Sequence, residues 1–260
     1  MTIINAKQAI ILAAGRGSRM GSLTAEQPKC LTPFLGKTLL DWQIDSLTDA
    51  GLNKLTVLRG YRKELLISSR FNTIDNDDWS KTNMVATLRC AAHVLSQDST
   101  VVSYSDIVYH PNHIRALSAC DGDIAITYDR LWEKLWSIRF SNPLSDAETF
   151  LQKDGRLVTI GEKTNSFADV QGQYMGLLKI TPRGWESIET LLGACSSEEI
   201  ARLDMTSLLR RLLSANIAIH CVPVDGKWCE VDSASDVDLY LEQLNKAEAE
   251  KTRWDHDWRS

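Results

Sequence analysis

Two short stretches near the N-terminus carry residue types suited to holding a polyphosphate. Leu12-Ala13-Ala14-Gly15-Arg16-Gly17-Ser18-Arg19-Met20-Gly21 ends an apolar run over residues 9–13 and precedes a helix-capable segment. Gly15 and Gly17 let the backbone approach a bulky anion, and successive N–H groups there form an anion nest. Arg16 and Arg19 add positive charge. Shortly after, Gln27-Pro28-Lys29-Cys30-Leu31 puts one lysine on a proline-stiffened turn, a fixed cation for the same phosphates. Two commoner phosphate motifs are excluded. A dinucleotide fingerprint needs glycine where Met20 stands, and a Walker loop ending in Gly36-Lys37-Thr38 has Leu31 where its first glycine belongs.

These loops need strands and helices to hold them. Apolar runs at 9–13, 55–59, 100–105 and 122–128 alternate with helical spacing at 37–50 and 83–95. Such alternation implies a parallel sheet covered on both faces. Beyond about residue 130, short runs at 136–140, 148–152, 156–161 and 173–180 read as an antiparallel annex within 130–180. Helices at 182–192, 205–215 and 236–244 and a strand at 217–222 follow, Pro182 being suited to a first helical turn. The fold expected is α/β, a Rossmann-like mixed but mostly parallel sheet with helices on both faces. One domain spans 1–245. The charged tail 246–260 reads as a fraying helix, although Trp254 and Trp258 at i, i+4 hint at docking on a partner. His110 and His113 read as loop residues.

Composition bounds the function. The chain has 260 residues, 43% of them hydrophobic, and a net charge of −5. That excludes collagen-like, disordered and coiled-coil classes and disfavours binding to polynucleotide. The six cysteines form no C-x-x-C pair and look like reduced core residues, so the expected compartment is the cytoplasm. The N-terminal apolar run is too short to span a membrane and no cleavage site follows it.

The glycine loop and Pro28-Lys29 together, AIILAAGRGSRMGSLTAEQPKCLTPFLGKTLLDWQI, resemble the sugar-1-phosphate and phosphocholine nucleotidylyltransferases. The resemblance implies a nucleotide-diphospho-sugar transferase-like fold and transfer of a nucleoside monophosphate with release of pyrophosphate (EC 2.7.7). It implies catalytic roles for Arg16 and Lys29, and nucleotide contacts from Leu12, Ala13, Ala14, Gly15, Gly17 and Ser105. Trp79-Ser-Lys-Thr-Asn-Met-Val-Ala-Thr-Leu resembles a base-contacting segment of the choline-phosphate and aminoethylphosphonate cytidylyltransferases, which brings in Thr82 and Asn83. Those two also suit the N-terminal cap of the next helix, and both roles can coexist. Asp106 resembles the family's strand-end magnesium ligand, and Trp228-Cys-Glu230-Val-Asp232 its late partner. Glu230 and Asp232, two apart, face one side of a strand, and their hard oxygens suit Mg²⁺.

The stretch from Arg130 to Thr149 resembles a phosphonate and phosphoamide branch of the family. There Lys134 and Arg139, beside Trp132 and Trp136, are candidates for an anionic acceptor group. Lys163, Gln173 and Tyr174 resemble further acceptor-site residues, although Thr164 stands where a proline usually follows the lysine. The expected reaction is Mg²⁺-dependent transfer of CMP from CTP to a small phosphonate or phosphorylated acid. The expected partners are CTP and that acceptor, with no nucleic acid or membrane and room for a homodimer. Alternatives are a sugar-1-phosphate uridylyl- or thymidylyltransferase and a catalytically silent nucleotide-binding regulatory subunit.

Overall fold

The computed structural model describes residues 6–259. The strands are β1 (Gln8–Ala13), β2 (Pro33–Phe34), β3 (Lys37–Thr38), β4 (Leu55–Arg59), β5 (Asn72–Asp75), β6 (Thr100–Tyr104) and β7 (Ile107–Tyr109), followed by β8 (Ile124–Asp129), β9 (Glu148–Lys153), β10 (Arg156–Lys163), β11 (Gln173–Ile180), β12 (His220–Val224) and β13 (Trp228–Glu230). The helices are α1 (Leu39–Asp49), α2 (Met84–Arg89), α3 (Ala92–Leu95), α4 (Pro111–Ala119), α5 (Trp132–Arg139), α6 (Pro182–Leu192), α7 (Ser197–Arg202), α8 (Met205–Ser214) and α9 (Ala234–Ala249).

β1 is buried along its whole length because both faces of the sheet are covered. Its side chains alternate between two cores. Ala9, Ile11 and Ala13 join residues of α1, α4, α5 and α9, whereas Ile10 and Leu12 join those of α2, α6 and α8. The nine-stranded sheet runs β5-β4-β1-β6-β11-β8-β12-β10-β9. Only β10 and β11 oppose the common strand direction, as the pairing of β11 with β6 and β8 and of β10 with β12 and β9 requires. The expected mixed, mostly parallel sheet is therefore what forms. The antiparallel β9–β10 hairpin extends one edge, while β11 lies inside the sheet.

Three local expectations are corrected. Residues 136–140 belong largely to α5 rather than to a strand. Trp132, Leu135, Trp136 and Arg139 repeat at i, i+3, i+4 and i+7, and all four point inward. Of the two histidines read as loop residues, His110 does lie outside the helices, capping α4 through a bond from Asn112 N, whereas His113 belongs to α4 and is buried. The tail does not fray. α9 reaches Ala249, and residues beyond it fold back onto the same chain. Trp258 is 2% exposed, stacks on Phe34 with centroids 4.9 Å apart and meets Trp42 edge-on at 5.7 Å. Trp254 packs on Tyr240.

That packing makes the tail a part of the core. Trp258→Ala is expected to cost about 3–5 kcal/mol, the range for a deleted buried aromatic. Urea unfolding checks it: the midpoint falls while the slope is unchanged, and a loss below about 1 kcal/mol contradicts the packing described.

Candidate active site

The glycine loop is fixed from two sides. Tyr61 N donates to Ala14 O at 2.9 Å, which ties the end of β1 to the turn after β4. Gly17 has φ +72°, and a Cβ there would lie 2.6 Å from Lys29 Cβ. Glycine is required because the loop lies directly against the lysine stem.

Beside this loop is a small cavity lined by Leu12, Ala14, Gly15, Trp79, Thr82, Asn83, Met84 and Thr87. The structure thus brings Leu12, Ala14 and Gly15 together with Thr82 and Asn83, while Ala13 is buried beneath them. Thr82 Oγ1 donates to Asp78 O at 2.9 Å and accepts from Asn76 Nδ2 at 3.0 Å. Asn83 caps α2, its Oδ1 accepting from Met84 N at 2.8 Å, and its Nδ2 donates to Arg202 O at 3.4 Å. Trp79 is a lining residue that sequence reasoning missed, although it stands three positions before Thr82 in the same motif. It packs edge-on to Tyr61 with centroids 5.3 Å apart. A Cβ on Gly60 would lie 2.5 Å from that of Trp79.

Next to the loop stands a cluster of charges. Lys29 Nζ donates to Asp106 Oδ2 at 2.9 Å and to Asp232 Oδ1 at 2.6 Å, with 8% of its side chain exposed. Arg19 meets Asp232 at 2.9 Å. Asp106 follows β6 through the half-buried Ser105 and leads into β7, and Asp232 follows β13. β7 and β13 pair antiparallel, and Val231 N donates to Asp106 O at 2.8 Å, so the two carboxylates share one scaffold. Burial opposes the charge on Lys29, but Asp106 and Asp232 outweigh it and raise its pKa. Burial would also raise Asp232, but the Glu230 hydrogen bond, Lys29 and Arg19 hold it low. Glu230 shifts the other way, pushed well up by burial and then by Asp232, with Arg139 opposing.

Arg139 forms the floor of the cluster. Its side chain is 2% exposed and meets Glu230 at 3.3 Å, Asp236 at 3.1 Å and Asp232 at 3.8 Å. Its guanidinium lies 5.1 Å from the ring centroids of Trp136 and Phe140. Asp236, also missed, accepts from Asp232 N at 2.9 Å and from Ser233 N at 2.8 Å. Ser233-x-x-Asp236 is a capping-box spacing that could have marked it.

Of the positions expected to bind the acceptor, Arg139 lies in this cluster and the others fall outside it. The Arg139 side chain is sealed beneath the carboxylates rather than open to solvent. Lys134 lies on the exposed side of α5, paired with Asp255 at 2.6 Å. Both are expected in an anionic pocket from the resemblance to the phosphonate branch and from their place beside Trp132 and Trp136; in α5 the two side chains leave on different sides of the helix. Lys163 is exposed at the end of β10, in register with Glu148. Gln173 and Tyr174 open β11, and Tyr174 lies edge-on to Tyr104, two residues before Asp106. Arg16 is exposed at the loop, 5.7 Å from the Tyr61 ring. A larger open cavity between β10 and α7–α8, lined by Glu162, Glu199, Arg202, Arg210 and Arg211, contains neither Lys29 nor Asp106.

Removing a buried cation leaves its carboxylates unpaired, a loss of about 3–5 kcal/mol. Arg139→Met is therefore expected to unfold in urea at a much lower midpoint. A change under about 1 kcal/mol contradicts a structural role for the arginine.

Comparison with known proteins agrees with this geometry. Residues 9–204 match the model of the MobA-like NTP transferase domain. The chain is 34% identical over 252 residues to a CTP:phosphoglutamine cytidylyltransferase of Campylobacter jejuni, covering 90% of this chain and 99% of that protein. It is 28% identical over 162 residues to a 2-aminoethylphosphonate cytidylyltransferase of Lancefieldella rimae, covering 59% of this chain and 60% of that one. Among solved structures, the inositol-1-phosphate CTP transferase of T. maritima superposes with a TM-score of 0.71 at 18% identity, over 96% of this chain and 99% of that one. The phosphocholine cytidylyltransferase of Streptococcus pneumoniae gives the same TM-score at 20% identity, over 92% and 99%. The chain belongs to the MobA-like NTP transferase family and is a nucleotidyltransferase.

Proposed function

We propose that the enzyme transfers CMP from CTP to the phosphoryl group of a phosphorylated amino acid amide of the phosphoglutamine class. The observation that carries the chemistry is the buried Lys29 ammonium between Asp106 and Asp232, beside the glycine loop. An ammonium has three N–H donors, and two are used here, so one remains for a phosphate oxygen. Lys29, Arg19 and the loop N–H groups neutralise and align the triphosphate. An acceptor phosphoryl oxygen then attacks the α-phosphorus. The bond to the β-phosphoryl oxygen breaks and pyrophosphate leaves. The attacking oxygen is already ionised at neutral pH, so no general base is needed.

Asp106 and Asp232 suit a magnesium ion. Asp106 Oδ1 is buried without a hydrogen-bond partner, and both residues offer hard carboxylate oxygens. Among the described residues no group of three or more His, Cys, Asp or Glu side chains is placed to hold an ion by itself. Two carboxylates suffice for Mg²⁺, which completes its shell with phosphate oxygens and water. Bound there, the ion would add positive charge where the phosphates carry negative charge. Glu230, engaged by Arg139, serves to support Asp232.

The acceptor class rests on the full-length similarity to a protein named for phosphoglutamine. A small phosphonate is the second reading, favoured by the aminoethylphosphonate relative. The sugar-1-phosphate alternative has shorter or more distant relatives. Against a silent regulatory subunit stands the complete Lys29, Asp106 and Asp232 cluster. We place the enzyme in the cytoplasm, in keeping with the six free cysteines. Among the described residues no helix is long and apolar enough to cross a membrane.

A pyrophosphate-release assay with CTP or UTP, each paired with phosphoglutamine, 2-aminoethylphosphonate or glucose-1-phosphate, tests the reading. CTP with phosphoglutamine is expected to turn over fastest, with CTP favoured over UTP by at least about tenfold because the wrong base edge leaves a buried polar group unpaired. Comparable rates with UTP and a sugar phosphate contradict it. In the same assay Asp106→Asn is expected to lose roughly 10²-fold or more in kcat. Lys29→Ala should lose on the order of 3 kcal/mol in kcat/KM. Near-normal turnover in either variant removes that residue from the mechanism.

A further inference from the structure

The reaction as described leaves the C-terminal segment after α9 without a role, yet that segment is built into the scaffold of the carboxylates. Asp129, at the end of β8, is fully buried. Its Oδ1 accepts from Leu131 N at 2.9 Å and Gly226 N at 2.8 Å. Its Oδ2 accepts from Trp228 Nε1 at 2.9 Å and from His256 Nε2 at 2.9 Å. One carboxylate thus ties together the start of α5, the turn before β13, β13 itself and the C-terminal segment. His256 is fully buried as well.

The segment also touches β13 through backbone. Lys227 N donates to Asp255 O at 2.8 Å, and Cys229 Sγ to His256 O at 3.6 Å. Gly226 has φ +62°, and a Cβ there would lie 2.3 Å from Asp255 O, so the approach admits only glycine. β13 has three residues and pairs with only the three of β7, in a two-stranded sheet apart from the main one. A ribbon that short does not hold its place in water without packing against something else. Asp106 immediately precedes β7, and Asp232 lies two residues after β13.

We propose that the C-terminal segment is a positioning element of the active site: His256, locked on Asp129, clamps β13 and so holds Asp232 and Asp106 in place around Lys29. The proposal rests on the functional reading above in taking those carboxylates as parts of the reaction centre. His256 is a positioning residue, since it acts through β13 and has no contact with Lys29 or its partners among the hydrogen bonds described.

The test compares full-length His256→Ala and His256→Gln with the parent enzyme. Glutamine can present its amide nitrogen where the histidine Nε2 stands. Hydrogen–deuterium exchange over residues 226–232 is measured without substrate, and kcat and KM for CTP are measured by pyrophosphate release. The alanine variant is expected to exchange faster over 226–232 and to lose roughly tenfold or more in kcat, as misplaced catalytic groups do. Its KM for CTP should stay within about twofold, and glutamine should restore both readouts. Unchanged exchange and kcat in a folded alanine variant overturn the proposal. So does a parallel change in kcat and KM that glutamine does not correct. If the alanine variant does not fold, His256→Asn, whose amide is too short to reach Asp129, replaces it. If that also fails to fold while glutamine gives normal kcat, the segment is a requirement for folding only, and the proposal falls. Failure of the functional reading looks different: the parent enzyme then releases no pyrophosphate with any acceptor, while the exchange difference over 226–232 persists.

Discussion

An ammonium removed from water must be paired, and in this protein that constraint falls on Lys29. Its two partners, Asp106 and Asp232, come from loops 77 and 203 residues away in sequence. To deliver them, β6 must end beside β1, β13 must pair with β7, and the chain after Pro28 must lie against Gly17. The attraction of the two carboxylates exceeds the burial penalty, as the raised pKa of the lysine records. Removal of any one member leaves an uncompensated charge in a poorly solvated place.

The same logic extends downward in layers of alternating sign. Arg19 and Lys29 lie above Asp106 and Asp232; Arg139 lies beneath Asp232 and Glu230; Asp236 neutralises Arg139 and caps α9. Each layer orients the one above it. The buried arginine can give bonds to several carboxylates at once because its planar donors point in fixed directions, which a lysine ammonium cannot reproduce. The cluster is therefore nearly neutral and well ordered before any phosphate arrives, and the positive groups at its top remain the ones closest to the glycine loop.

Much of this was legible in the sequence because its signals are local. The glycine loop and Asp106 each follow a strand whose apolar run is plain, and strand ends in such sheets open onto the ligand crevice. Lys29 stands on a proline-stiffened turn close to that loop, and Asp232 is marked by the resemblance to the family's late acidic element. The elements that were misread depend on distant partners. In α5, two tryptophans and two cations are compatible with a hairpin or a helix, and only burial of Trp132, Leu135, Trp136 and Arg139 on one face decides. Arg139 and Lys134 look equivalent in sequence, yet one is sealed beneath carboxylates and the other lies in solvent. The tail's charged stretch suggested a solvated end. The residues that contradict it, His256 and Trp258, find their partners at Asp129 and Phe34, which no local pattern reveals.

The proposed mechanism puts the phosphates of CTP at the Lys29, Asp106 and Asp232 cluster and the base in the cavity lined by Trp79, Thr82 and Asn83. Diffraction from crystals grown with CTP and Mn²⁺, recorded near the manganese absorption edge, tests it most directly. The expected map has one anomalous peak in contact with Asp106 and Asp232, triphosphate density against Lys29 and the loop from Gly15 to Gly17, and cytosine beside Thr82. Manganese and nucleotide bound together at any other place on the molecule, with Lys29 still closed on its two carboxylates, would contradict it.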